Sequence, residues 1–260
     1  MTLKAIARRL LGSLYDPLQR SWSSLRHRRR LAAAARQRDR VWRELTRDGI
    51  RILGGPFAGM HYLAEPAEGS IYPKLAGTYE QELAGVIETI VATPYDVVVD
   101  IGAAEGYYAV GLALRMPRVT VHAYDVDPRA REACAELARM NGVSDRVRVH
   151  GAFEPADFRA KRLLVICDCE GCEVEVLDPA VFAEADLLVE LHDFLEPEIT
   201  PTLIRRFEVT HEIRLIDSRP GNPDAAALRH LRSSDRAFAV DERRPAPMQW
   251  AWMRRRSHGS

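Results

Sequence analysis

No stretch of this chain approaches the roughly 20 consecutive apolar residues that a membrane-spanning helix needs, although 47% of its 260 residues are hydrophobic. The apolar content is spread into short runs, which suits a packed core of ordinary globular size. Cysteine is scarce. Three of the four cysteines crowd into "CDCEGC" at 167–172, too few and too clustered for a disulfide framework in a chain of this length. That usage points to a reducing cytoplasm. The opening residues are too rich in arginine and too interrupted to read as a secretory signal. No internal repeat and no low-complexity linker breaks the chain.

Net charge is also absent, at a formal +0, but the balance is uneven. Residues 1–48 hold 13 Lys/Arg against 4 Asp/Glu, and the remainder holds 24 against 33. A basic arm therefore precedes an acidic body. In "MTLKAIARRLLGSLY", Leu3, Ile6, Leu10, Leu11 and Leu14 fall on one helical face. "LAAAARQRDRVWRELTRDG" predicts a second helix, with Gly49 as its stop. Such an arm can pack on its own body, lie on an anionic membrane surface, dock on a protein partner or touch nucleic acid.

Residues 50–63 read as two short strands around a Gly-Pro turn, and "GTYEQELAGVIETIVA" as an amphipathic helix. Strict alternation follows. Strands are expected at 97–101, 119–124, 146–150, 162–168 and 186–192, with helices near 106–115, 128–140, 172–184 and 201–207. Thr200 and Pro201 suit an N-cap and first helical residue. "EVTHEIRLID" and "MQWAWM" add two strands without the parallel rhythm. Apolar strands alternating with helices predict an α/β fold, a doubly wound, mostly parallel seven-stranded sheet with an N-terminal helical arm. The organisation expected is an arm over 1–48, a strand pair and helix over 49–95 and the sheet domain over 96–260.

The stretch "VVVDIGAAEGYYAVGLA" at 97–113 carries the first chemistry. Ligands of such sheets bind at the carboxyl ends of strands, where strand order reverses. A pyrophosphate-binding G-x-G-x-x-G loop is missing here, because its second and third glycine positions are Ala104 and Tyr107. The spacing is instead D-x-G-x-x-x-G: Asp100, Gly102, Gly106. The second strand, "VTVHAYDVDP", ends on Asp125, placed to accept both hydroxyls of a ribose. The alternative for Asp100 is a carboxylate that caps the following helix.

These motifs resemble those of class I S-adenosylmethionine-dependent methyltransferases, whose sheet is Rossmann-like. "LLVICDCEGCEVEVLDP" has the D-x-E-G-x-E pattern of the FkbM family, and "LLVELHDF" is similar to that family's fifth strand. The resemblance covers residues 70–217, while "CDCEGC" departs from the aliphatic residues more usual beside Asp168. It implies S-adenosylmethionine as cofactor. The implied contacts are Gly102, Ala104, Gly106 and Tyr107 in the first loop, with Asp100 beneath it. Asp125 and Val126 would meet the ribose, Ala152 and Phe153 would flank adenine, and Asp168 would lie near the methyl group. "GTYEQEL" resembles the segment that closes over the methionine end, which makes Glu80 a candidate partner for its ammonium.

Methyl transfer to a hydroxyl needs alignment and removal of a proton. The fourth and fifth strand ends offer Asp168, Glu190, His192 and Asp193. Asp168 and His192 are the expected catalytic pair, with Asp193 orienting the imidazole or the substrate; His211 is a weaker candidate. The alternative for His192 is a hydrogen bond to the following loop. Asp168, Glu170, His192 and Asp193 also form a set that can hold Mg²⁺ or Mn²⁺, which spacing alone does not establish. Cys167, Cys169 and Cys172 lack a fourth ligand for zinc and read as core. The N/D-P-P-Y/F sequence of amino-directed nucleic-acid methyltransferases is missing. Together these features predict a cytoplasmic O-methyltransferase, open to peripheral membrane or protein contact through its arm. Its acceptor would be a small molecule or glycan: a hydroxyl of a sugar, glycan precursor or secondary metabolite. Two other readings remain: a catalytically silent cofactor-binding domain that recruits a partner, and a nucleotide-dependent oxidoreductase.

Overall fold

In the computed structural model, which describes residues 15–67, 69–154 and 162–256, the five apolar runs become five parallel strands of one sheet. They are β1 (Val97–Ile101), β2 (Thr120–Tyr124), β3 (Val147–His150), β4 (Leu163–Cys167) and β5 (Asp186–Leu191), followed by β6 (His211–Asp217) and β7 (Gln249–Arg255). The sheet order is β3-β2-β1-β4-β5-β7-β6. Strand β1 pairs in parallel with β2 and β4, whereas β7 runs antiparallel to β5 and β6. This is the expected doubly wound, seven-stranded mixed sheet. Val98, Val99, Leu164, Val165, Leu187 and Leu188 are each 0% exposed. Burial on both faces explains why these strands read as continuous apolar runs, and each such side chain contributes about 1.5–3 kcal/mol.

The helices are α1 (Tyr15–Leu45), α2 (Ile71–Ala76), α3 (Ala84–Ala92), α4 (Tyr107–Arg115), α5 (Pro128–Met140), α6 (Glu173–Val176), α7 (Pro179–Phe182), α8 (Ile199–Phe207) and α9 (Ser233–Ala239). Helix α5 shows why local signals suffice in places. The Asp127 carboxylate accepts the Arg129 N–H at 2.9 Å, Pro128 follows in the first turn, and Ala130, Cys134, Leu137 and Ala138 form one buried face.

Elsewhere the structure departs from expectation. The helix expected over 172–184 is two short ones, because Pro179 has no N–H to continue α6 and starts α7 under an Asp178 cap. Thr200 is not the cap of α8, which begins at Ile199 after Glu198. Residues 50–63 form a single antiparallel bridge, Arg51 with His61, rather than two strands. Helix α1 ends at Leu45, before Gly49 closes a turn onto Thr46 O at 3.1 Å.

The chain divides into two units, residues 1–44 and residues 45–260. In the first, α1 is an uninterrupted helix of 31 residues, and Arg26, Arg28, Arg29, Arg30, Arg36 and Arg38 are exposed. The apolar face expected at Leu3–Leu14 lies outside the described residues. No helix among the described residues is long and apolar enough to cross a membrane.

Candidate functional site

Strand order reverses between β1 and β4, and the loops after β1, β2 and β4 meet at that point. The Asp168 N–H donates to Ile101 O at 2.8 Å, and the Gly102 N–H donates to Tyr124 O at 2.9 Å. Gly102 has φ +80°, and a Cβ there would stand 1.7 Å from Asp168 O. Only hydrogen fits between the two loops. Gly106, at φ +90°, likewise lets α4 approach Cys134 Sγ, which a Cβ would meet at 2.7 Å. Between them Ala104 adopts φ +45°, a conformation that costs a non-glycine residue about 1–2 kcal/mol. It aims its N–H at Asp125 Oδ2, 2.8 Å away, while Asp125 Oδ1 accepts the Asp127 N–H at 2.8 Å. The carboxylate is thereby fixed in direction, with lone pairs left over for a ligand.

A cavity of about 350 Å³ opens beside this carboxylate, and Gly102, Asp125, Val126, Ala152, Phe153 and Asp168 line it. Its size falls in the range of small-molecule sites. The structure thus brings six of the expected cofactor residues onto one surface. The other five do not line it. Asp100 is buried, accepts the Ala109 N–H and is pushed up to about 7 by burial and then by the Asp125 charge. That bond sets it against the first turn of α4 rather than in the cavity. Tyr107 packs edge-on against Phe57 and Tyr79. Ala104 and Gly106 shape the loop from behind. Glu80 is buried, accepts from the Tyr108 hydroxyl and stands 3.4 Å from Arg244 Nη2. Burial first, then the Glu190 charge, pushes its carboxyl up to about 8.

Asp168 belongs to a second group as well. The His192 ring is fully buried, and its Nδ1–H donates to Glu173 Oε1 at 2.5 Å. Its Nε2 faces Asp168 Oδ1 at 3.6 Å, Glu170 Oε2 at 3.3 Å and Glu190 Oε2 at 3.7 Å. Among the described residues, neither His192 Nε2 nor Asp168 Oδ1 has a hydrogen-bond partner. Burial and then the Glu190 and Glu80 charges hold the Asp168 carboxyl well above the usual carboxylate range. Burial works against a charged His192, but Glu173 and the Glu190 and Glu170 charges together offset it and hold the imidazole above its ordinary value.

Three corrections follow. Asp193 does not orient this imidazole: its two oxygens accept the Thr200 N–H at 3.0 Å and the Thr200 hydroxyl at 2.6 Å, which fastens the start of α8. Glu173 takes the orienting place, and a reading by strand ends misses it because it arrives from α6. Cys169 and Cys172 are not core thiols but share a disulfide, whereas Cys167 is buried and free. His211 is spent on structure: Nε2 donates to Ala185 O at 2.7 Å, at the opposite end of β5 from His192.

Arg244 was invisible to motif reading. From the segment before β7 it reaches Glu190 Oε1 at 2.7 Å and Glu242 Oε2 at 2.8 Å. The second of two adjacent arginines in "DERRPAP" carries no sequence signal of that role.

No protein-family model and no curated protein matches the chain. Solved structures are similar in outline. A ribosomal protein L11 methylase from Lactobacillus delbrueckii subsp. bulgaricus is 16% identical, with 71% of this chain and 82% of that one covered and a TM-score of 0.46. A precorrin-6Y C5,15-methyltransferase from Geobacter metallireducens is 15% identical, over 66% of this chain and 88% of that one, with a TM-score of 0.45. An RNA methyltransferase from Salinibacter ruber, in complex with S-adenosyl-L-homocysteine, is 20% identical, with a TM-score of 0.31. The match covers 36% of this chain and spans only 64% of that enzyme. All three are methyltransferases, and likeness at this level carries nothing about acceptor or mechanism.

Proposed function

We propose that the chain is an S-adenosylmethionine-dependent O-methyltransferase of the FkbM-like kind, acting on a hydroxyl of a sugar, glycan precursor or secondary metabolite. One observation carries this reading. Gly102, Asp125, Val126, Ala152, Phe153 and Asp168, drawn from four separate loops, line a single cavity at the reversal point of the sheet. In that cavity Asp125 meets the ribose, Ala152 and Phe153 flank the adenine, and Gly102 lets the cofactor lie against bare backbone. Asp168 is the carboxylate nearest to where a sulfonium and its ammonium would lie, and Coulomb attraction favours both cations there.

Asp168 also joins the cavity to the group around His192, so Asp168 and His192 together activate the acceptor hydroxyl. Proton removal is worth about 10²–10⁴-fold in such a step. The exposed arginines of α1 support a peripheral contact with an anionic membrane surface or an acidic partner.

Isothermal calorimetry with S-adenosyl-L-homocysteine tests the cofactor. Binding at one site per chain, with no binding of NAD, is expected. Binding of NAD in its place would transfer the cavity to a nucleotide-dependent oxidoreductase. Methyl transfer from radiolabelled cofactor to a panel of hydroxylated acceptors tests the reaction.

A further inference from the structure

We propose that Asp168, Glu170, Glu190 and His192 form a site for one divalent cation of the Mn²⁺ or Mg²⁺ kind. Single atoms of Asp168, Glu170 and His192 all lie within 4.8 Å of one another. His192 Nε2 stands 3.6 Å from Asp168 Oδ1 and 3.3 Å from Glu170 Oε2, separations that one ion with bonds of about 2.0–2.3 Å can span.

The decisive atom is His192 Nε2. Glu173 occupies Nδ1, so Nε2 is the ring atom left to face Asp168, Glu170 and Glu190, and with a cation bound there the ring would be neutral, its proton on Nδ1 and its lone pair on Nε2. That nitrogen is fully buried, has no hydrogen-bond partner among the described residues and faces three carboxylates. A buried polar atom left unsatisfied costs about 1–3 kcal/mol. The Nε2–oxygen separations of 3.3–3.7 Å exceed the roughly 2.7–2.9 Å of a charge-assisted hydrogen bond. They match the spacing of ligands that share an ion between them.

Charge leads to the same place. Asp168, Glu170, Glu173 and Glu190 crowd the ring, and Arg244 forms an ion pair with Glu190 alone of these four. Glu173 supplies the outer carboxylate that orients a metal-bound imidazole in many metal sites. The donors are hard oxygens and one imidazole, and the nearby Cys169 thiol is taken up in a disulfide. Such a set suits Mn²⁺ or Mg²⁺ over softer ions.

What the cation does rests on the methyltransferase reading. A cation beside Asp168 lowers the pKa of the acceptor hydroxyl. The proton leaves to water, the acceptor oxygen forms the new O–CH₃ bond, and the S–CH₃ bond breaks to leave a neutral thioether. His192 is then a ligand rather than a free base, since one lone pair cannot serve both roles.

The test uses full-length protein stripped with EDTA. Mn²⁺ is added, and its free signal is followed by electron paramagnetic resonance. One Mn²⁺ per chain is expected. His192→Ala should weaken it at least 100-fold, and Glu170→Gln, a change at an exposed side chain that leaves folding intact, at least 10-fold. No bound Mn²⁺ at millimolar concentration, or equal binding by the Glu170→Gln protein, overturns the site. Calorimetry with S-adenosyl-L-homocysteine runs in parallel. Cofactor binding without Mn²⁺ binding removes the cation and leaves the methyltransferase reading. Mn²⁺ binding without cofactor binding does the reverse.

Discussion

Two groups of buried charge flank the glycine loop, and they differ in completeness. In one, Lys74 of α2 and the Tyr62 hydroxyl both donate to Glu105, with the three residues 3%, 0% and 0% exposed. Cation and anion are paired, and neither is left without a partner. Burial would raise the Glu105 carboxyl, but the Lys74 charge together with the hydrogen bonds from Lys74 and Tyr62 offsets it and holds it low. In the other, four carboxylates surround an imidazole whose outer nitrogen has nothing to bond among the described residues. The first group is wholly buried, whereas the second opens to solvent at Glu170, whose side chain is 65% exposed. The first group fastens the loop to the segment before it, and the second has the form of a receptor.

Breaking the fastening should have the largest effect. Lys74→Met takes from the buried Glu105 carboxylate the cation that Lys74 supplies, which costs about 3–5 kcal/mol. Urea unfolding should show that loss. An unchanged midpoint would mean that Glu105 finds water instead. The receptor should behave in the opposite sense, gaining from an addition. Mn²⁺ at 100 times its dissociation constant should stabilise the wild type by about 2.7 kcal/mol, measured as a rise in unfolding free energy that the His192→Ala protein lacks.

On the cavity side, Asp125→Ala should weaken S-adenosyl-L-homocysteine by about 1.5–3 kcal/mol, the value of hydrogen bonds to a charged group. Equal affinity in calorimetry would remove Asp125 from the ribose.

Taken per pH unit, the smallest effect is a slope, although it adds up to about 4 kcal/mol across its whole window. Asp100 has no cationic partner and sits near 7, against an ordinary 3.8. Between about pH 4 and 7 the folded chain keeps a proton that the unfolded chain has released. Stability therefore falls as pH rises through that window, by at most about 1.4 kcal/mol per pH unit. Asp100→Asn should flatten the fall, read from unfolding midpoints across the same range.

The fold was largely legible because its signals are local. β1 needs only its apolar run, and α5 carries its own cap in Asp127 and its own start in Pro128. The cavity was legible for the same reason: each loop contributes from just beyond its own strand. The buried group around His192 was legible only in part. Asp168, Glu190 and His192 stand at strand ends, but Glu173 comes from α6 and Arg244 from the segment before β7. A carboxylate in a sequence does not announce whether it will be buried, or beside what. Asp193 was misread on the same ground. It adjoins His192 in the chain, yet the unsatisfied N–H groups at the start of α8 claim it. The disulfide was misjudged because cysteines three apart fix no geometry until Gly171 turns the loop at φ +104°.

The close approach at Gly102 has a bearing on genetics. A methyl group at that position would land on the Asp168 carbonyl, so a change in the loop after β1 is transmitted directly to the loop after β4. Alleles of residue 102 should therefore copy the phenotype of alleles of residue 168, with both cofactor and acceptor handling lost together. A suppressor of either should arise more readily in the 168–172 turn than in the helix that follows Gly106.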